Sequence, residues 1–220
     1  MESVMKEQRC RRDPQGTRQR ILTAAHNEFA EGGLYGARID RIACAAGTNE
    51  RMLYYYFGSK DGLFLAVLDY VLASLNAAER SLDLSSVSPE EGVTRVAHFL
   101  WDYYRDHPDL VRLLNDENLR EGKLTRETTS LRRNVSPLLE ALTHVLERGK
   151  HAGVFRDVDP AKFYTVLSGL GYYVVSNRFS LEATLGIDLN DPTEAKRMRQ
   201  MSTELVLSYL THHEPVVATF

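Results

Sequence analysis

At 220 residues the chain suits one large or two small domains, and 43% hydrophobic residues is enough to build a core. A formal net charge of −3 excludes a histone-like polycation, yet residues 1–60 hold ten Lys/Arg against seven Asp/Glu, a net of +3 that leaves −6 on the rest. A basic N-terminal third ahead of an acidic body suits a nucleic-acid-reading head joined to a sensing or assembly domain.

In chain order, residues 1–16 are polar and aperiodic, with Arg9, Arg11, Arg12, Pro14 and Gly16, and read as a flexible basic arm. Such an arm either stays a solvated tail or adds phosphate and minor-groove contacts. From Thr17 to Glu31 a helix is expected: Thr17 caps it, Ile21, Leu22, Ala25 and Phe29 form its apolar stripe, and Gly32 and Gly33 stop it. Arg18 at its start is a candidate phosphate contact, whereas Arg20 reads as solvated and Tyr35 as packed.

Arg38 to Leu63 carries the sharpest pattern. Ile39, Ile42, Ala43 and Ala46 fall on one helical face, and Gly47 follows where a left-handed residue is wanted. Asn49 suits the cap of a second helix, with Glu50 in its first turn. Met52, Leu53, Tyr56 and Phe57 give that helix its own apolar face. Two short helices around a Gly turn are the parts of a helix-turn-helix.

The run Ala46 to Leu63 resembles the signature of the tetracycline-repressor (TetR) family of transcriptional regulators. Ala46, Gly47, Asn49, Leu53, Tyr54, Tyr56, Phe57, Ser59, Lys60, Asp61 and Leu63 stand at the signature's places. Thr48 stands where an aliphatic residue is usual and Arg38 where Thr is frequent. Both departures border the DNA-facing surface and bear on which operator is read. The resemblance implies that the first helix packs across the motif and that Lys60 contacts phosphate.

Within the motif, Asn49, Glu50 and Arg51 open the second helix, where a recognition helix meets bases. Arg51 is the best direct reader, since a guanidinium pairs with guanine in the major groove. Glu50 accepts from cytosine or is simply a dipole-favoured first-turn acid. Tyr54 and Tyr55 are expected to point outward, towards phosphates or base edges. Arg18, Arg38, Thr48 and Lys60 complete the candidate DNA-binding set. Arg38 and Arg41 read equally well as solvated charges.

Lys60 to about Ser81 reads as one long helix, capped by Ser59 and carrying Leu63, Phe64, Val67, Leu68, Val71, Leu72 and Leu75. A helix leaving the head in this way is a candidate lever. Further helices are expected from Pro89, from Pro108, over residues 125–152 with a kink or fresh start at Ser136-Pro137, from Pro160 to about Leu181, and from Pro192 to about His212. The chain is therefore expected to be all-α with about nine helices. Residues 17–60 form the helix-turn-helix domain and 61–220 a larger helical domain.

The family resemblance implies that this larger domain dimerises and binds a small effector that changes DNA affinity. Gly169 and Gly171 allow a close helix approach, and Met198, Met201, Leu205 and Leu210 stripe the last helix, so a homodimer through the last two helices is expected. Such stripes are more often intrachain core than interface, so the dimer rests largely on the resemblance. Candidate effector contacts are His98, Trp101, Tyr104, Asn115, Asn118, Tyr172, Tyr173, Asn177 and Arg178, polar-tipped or aromatic residues within otherwise apolar helices. Taken singly, such residues are more often satisfied core or surface residues than ligand contacts.

Cys10 and Cys44 give neither a disulfide framework nor metal-ligand spacing, and Cys44 is expected to pack as a small apolar residue. No nucleophile elbow, phosphate loop or paired-His zinc motif is present, and His212-His213 lacks a third ligand. An enzyme is not expected, nor a cofactor or metal. No apolar run approaches the roughly 18 residues of a membrane span, and no signal-type segment opens the chain, so a cytoplasmic location without membrane contact is expected. The reading is a DNA-binding regulator, a repressor that binds a palindromic operator as a dimer and is released by an effector. Its rivals are a metabolite-turning enzyme and a helical assembly protein that has lost DNA binding.

Overall fold

The computed structural model describes residues 13–127 and 136–211, which form eleven α-helices and no strand. Cys10, the arginines at 9, 11 and 12, and His212-His213 lie outside the described residues. Two compact units divide between Val67 and Leu68.

The first unit comprises α1 (Pro14–Gly36), α2 (Ile39–Ala45), α3 (Glu50–Phe57) and the opening of α4 (Lys60–Arg80). Helix α1 begins three residues earlier than Thr17. Asp13 is its cap, accepting from the Gly16 amide at 2.9 Å, and Pro14 occupies a first-turn place where a missing N–H costs nothing. The Gly pair acts as a break rather than a stop. Gly33 takes φ 63° and ψ −176°, and helical turns resume to Gly36. That break turns Leu34 inward and leaves Tyr35 83% exposed, contrary to the expected packing.

Ile21, Phe29, Ile42, Leu53, Leu63 and Phe64 are each at most 2% exposed, and the Phe29 and Phe64 rings meet edge-to-face at 5.1 Å. Burying each such side chain stabilises by about 1.5–3 kcal/mol. Cys44 does not join them. It lies on the opposite side of α2 from Ile42, Ala43 and Ala46 and is exposed.

The second unit holds the rest of α4 with α5 (Pro89–Asp106), α6 (Pro108–Leu119), α7 (Lys123–Glu127), α8 (Pro137–His151), α9 (Pro160–Ser176), α10 (Arg178–Leu185) and α11 (Pro192–Thr211). Helices α5, α8 and α9 open with Ser88, Ser136 and Asp159 accepting from the amides of Glu91, Leu139 and Lys162. Each has Pro at its first turn, so Ser136-Pro137 is a fresh start. Helix α5 is central, packed against α8, α9 and α11.

Gly171 sits against the Trp101 backbone, where an added Cβ would lie 3.3 Å from its Cα. Gly169 meets nothing of its own chain within 4 Å. Two helices beyond the expected nine are α7 and α10. The latter arises because Asn177 leaves helical geometry (φ −105°, ψ 13°) and its Nδ2 donates to the Tyr173 carbonyl, ending α9 short of Leu181.

Contrary to the expected absence of any such run, α4 is long and apolar enough by composition to cross a membrane, with mean hydropathy 1.4. Part of that content is core, 39% of the apolar window being buried. Leu63, Phe64, Val67 and Leu68 are at most 1% exposed.

Candidate nucleic-acid interface

Helix α3 is short, and its ends are held by side chains and a turn rather than by length. Asn49 Oδ1 accepts from the Met52 amide at 3.2 Å, and Gly47 takes φ +61° in the turn from α2. The Thr48 amide returns to the Ala43 carbonyl at 3.0 Å, closing the helix pair. Leu53 anchors α3 in the core, and helical periodicity then turns Glu50, Arg51, Tyr54 and Tyr55 to solvent. Tyr55 is 76% exposed and leans edge-on against Tyr56, which is half-buried as expected of a residue shared with the core.

A groove of about 890 Å³ opens between the start of α1 and the start of α3, lined by Thr17, Arg20, Thr48, Asn49, Arg51 and Tyr55 among others. Two helix N-termini face it: that of α3 carries the partial positive charge that favours an anion, while that of α1 is already met by the Asp13 carboxylate, which also lines the groove. Arg20 is no solvated bystander. Its Nε donates to the Ala46 carbonyl at 3.3 Å and its Nη2 to Thr17 Oγ1 at 3.1 Å, tying α1 to the turn.

The remaining cations differ in how free they are. Arg51 makes no ion pair or hydrogen bond among the described residues. Arg18 lies over the Phe57 ring, 5.1 Å from its centroid. Arg38 grips Asp40 with two bonds of 3.2 and 2.7 Å, which raise the guanidinium pKa and lower that of the carboxyl. Arg41 pairs with Glu28 at 3.4 Å. Lys60 donates to the Ala37 carbonyl at 2.6 Å and the Tyr35 carbonyl at 3.4 Å, fastening α4 to the end of α1. An ammonium has three protons, so one remains for a phosphate.

The second unit gathers part of the candidate effector set into a polar seam inside the helices. The Tyr104 hydroxyl shares a 2.7 Å bond with Ser168 Oγ. The Tyr172 hydroxyl donates to Asn115 Oδ1 at 2.7 Å, and Asn115 Nδ2 donates to Ser176 Oγ at 2.8 Å. The two tyrosine rings meet edge-to-face at 5.6 Å, with buried Trp101 one turn before Tyr104 on α5. Burial pushes the Tyr172 hydroxyl up to about 12.

The other candidates are elsewhere. His98 sits beside Asp102, which pairs with Arg199 of α11. Its imidazole pKa is lowered by burial and then by the Arg199 charge. Asn118 and Tyr173 are exposed, Asn177 is spent ending α9, and Arg178 lies 4.4 Å over the Phe179 ring.

A family profile described as "Bacterial regulatory proteins, tetR family" matches residues 21–67, and one described as "Tetracyclin repressor-like, C-terminal domain" matches 89–206, more than half the chain. The HTH-type transcriptional repressor NicS of Pseudomonas putida is 40% identical over 176 residues, covering 80% of this chain and 83% of NicS. The chain belongs to the TetR family.

The TetR regulator PfmR of Thermus thermophilus superposes with a TM-score of 0.62 at 25% identity, over 86% of this chain and 97% of that one. The HTH-type transcriptional regulator RutR of Escherichia coli is 26% identical over 175 residues, 78% of this chain and 79% of its own. The protein is accordingly a DNA-binding transcriptional regulator and no enzyme, and TetR regulators typically act as dimers on operators under effector control. Thr17 and Arg20, which the sequence marks only as a cap and a solvated charge, are groove residues, as is Asp13. For the first two the only further signal was an i, i+3 spacing on the polar flank of the Ile21–Leu22 stripe.

Proposed function

We propose that the protein is a cytoplasmic repressor that reads a two-fold symmetric operator as a homodimer. Helix α3 enters the major groove, with Arg51 and Glu50 at base edges and Tyr54 and Tyr55 at the backbone. The observation that carries this reading is the solvent-facing start of α3 with an uncommitted guanidinium at Arg51, bordering a groove onto which two helix N-termini open. A phosphate seated in that groove meets Thr17, Thr48 and Tyr55. Outside the groove's lining, Lys60 has one proton left for a second phosphate, while Arg18 and Arg38 are already partly engaged with Phe57 and Asp40.

For the dimer, α9 and α11 expose Val166, Tyr173, Met201, Leu205 and Tyr209, each between 48% and 59% exposed. Large apolar side chains on two adjacent helices are the material of a self-complementary face. For the effector, the seam of Tyr104, Asn115 and Tyr172 beside Trp101 supports a ligand site in the second unit, because polar groups inside a helical core orient ligands.

The test is selection of bound sequences from random DNA at physiological salt by the full chain, with sedimentation of the complex. Enrichment of a near-palindrome bound by an even number of chains is expected. Recovery of no symmetric sequence, or of salt-insensitive binding, would sink the reading.

A further inference from the structure

Helix α10 is an anomaly in the second unit. It runs for eight residues and buries none of them, leaving Phe179 66% and Leu185 67% exposed. Helix α9, which it follows, is covered on one side only. Val166, Gly169 and Tyr173 turn outward, and nothing of the chain lies within 4 Å of where a Gly169 Cβ would stand. At the far end of α9 from α10, a groove of about 640 Å³ opens between α9 and α11. Phe163, Val166, Leu170 and Leu205 line it, with Asp157, Asp159 and Lys162 supplying its charge.

A knob without a hole and a hole without a knob on one chain suit a two-fold contact, in which each copy gives its partner what it takes. The spacing fits that exchange. Asp159 stands ten residues before Gly169 and Phe179 ten after it, each about 15 Å away at the helical rise. A two-fold axis square to α9 at Gly169 runs two copies of α9 antiparallel, close where no side chain intervenes. It brings the partner's Phe179 to this copy's Asp159. The charges agree. Arg178 lies 4.4 Å over the Phe179 ring, donates only to the Val175 carbonyl, and has no carboxylate partner among the described residues. Glu182, one turn on, has no cation there either. Asp157 is already paired with Lys150 at 2.7 Å, but Asp159 spends only Oδ1 on capping α9, and Lys162 makes no ion pair among the described residues.

We propose that the groove between α9 and α11 is filled by a second copy of this chain, whose α10 seats Phe179 among Phe163, Val166, Leu170 and Leu205. The arriving Arg178 meets Asp159, and the arriving Glu182 meets Lys162. The inference rests on the dimer reading above and specifies what locks it. Val166, Leu205 and Tyr209 belong both to the groove and to the exposed apolar face of α9 and α11, so knob, face and hole form one continuous surface. Symmetry applies the contact twice, and a buried aromatic anchor carries a large share of an interface's energy.

The experiment uses the full chain with Cys10→Ser and Cys44→Ser. Copies carrying Asp157→Cys are mixed with copies carrying Ser180→Cys and treated with a short bismaleimide, and dimer affinity is read by sedimentation. The expected result is a covalent dimer from the mixture that neither variant gives alone. Phe179→Ala should weaken the dimer at least tenfold with helix content unchanged, since its ring is mostly exposed in the single chain. Lys162→Glu and Glu182→Lys should each weaken it about threefold, and the two together should restore it. A dimer that gives no crosslink between positions 157 and 180, or that keeps its affinity with Phe179→Ala, overturns the inference and leaves the dimer reading standing. A chain that stays monomeric at every concentration overturns both. Other occupants are read with 8-anilinonaphthalene-1-sulfonate. Equal uptake by the natural dimer and by Phe179→Ala marks a groove open to small molecules. Uptake raised by removing residues 212–220 and not by Phe179→Ala assigns the groove to the chain's own end. Either result overturns the exchange.

Discussion

In residues 13–67, Glu50, Arg51, Tyr54 and Tyr55 face solvent and the interior is apolar. In residues 68–211, Tyr104, Asn115, Tyr172 and Glu79 are turned inward. On the proposed function, the contrast follows from what each unit would have to touch. A DNA backbone is met from outside, so its readers can stay solvated until contact, and a small core of Ile, Leu and Phe is enough to hold them in place. A small molecule is met from inside, so the groups that read it must be desolvated in advance and must bond to one another meanwhile. The first arrangement costs little stability; the second does, because every inward hydroxyl needs a partner.

The contrast can be tested first where the effect is largest. Phe64→Ala removes a fully buried ring from the first unit and is expected to cost about 3–5 kcal/mol. Denaturant unfolding should show the loss together with abolished DNA binding. A neutral result would mean that the apolar core does not hold the readers.

Asn115→Ala removes the Ser176 bond and leaves the Tyr172 hydroxyl only its long 3.5 Å bond to the Val111 carbonyl, a loss of about 1–3 kcal/mol that the same denaturation measures. A gain in stability would show the seam to be held at a cost.

Arg51→Ala should relax preference at one base position per half-site by about 1–3 kcal/mol while barely changing fold stability. Lys60→Met is expected to behave otherwise. It loses the bonds to the Ala37 and Tyr35 carbonyls, so it should lower stability by about 1 kcal/mol and weaken all sequences alike. Binding selections on both variants separate these patterns, and a base-specific loss at Lys60 would reverse the assignment.

The smallest effect is in alkali. Tyr164 and Tyr172 have hydroxyls raised to about 12 in the folded chain. A raised pKa means that the folded state holds its proton longer, so this stability is complete below about pH 10 and is lost as pH climbs towards 12. Thermal melts over that window should fall less steeply for Tyr172→Phe. An equal fall would place the hydroxyl in solvent.

Much of this was legible in the residues alone, for physical reasons that differ by place. The helix pair around Gly47, the Asn49 cap and the outward Tyr54 and Tyr55 follow from local periodicity and capping, which act over a turn or two of chain. So do the starts at Pro89, Pro137 and Pro160. Tyr35 was misread because its side of the helix depends on the break at Gly33, and a glycine's φ is not written in a hydrophobic pattern, whereas the outward Cys44 follows from the same periodicity that puts Ile42, Ala43 and Ala46 on the opposite face. The pairing of Asn115 with Tyr172, 57 residues apart, and of Glu79 with Ser136, also 57 apart, was invisible, because hydrogen-bond partners across helices are set by packing.

The sequence by itself determined that the chain is helical, that α3 begins just after its Asn49 cap, and that it belongs among TetR-like regulators, since local spacing and charge carry all three. Only the tertiary structure decided which cations are free, with Arg51 open while Lys60 and Arg20 fasten helices. It alone left α10 without a buried residue, because burial is a property of the packed whole.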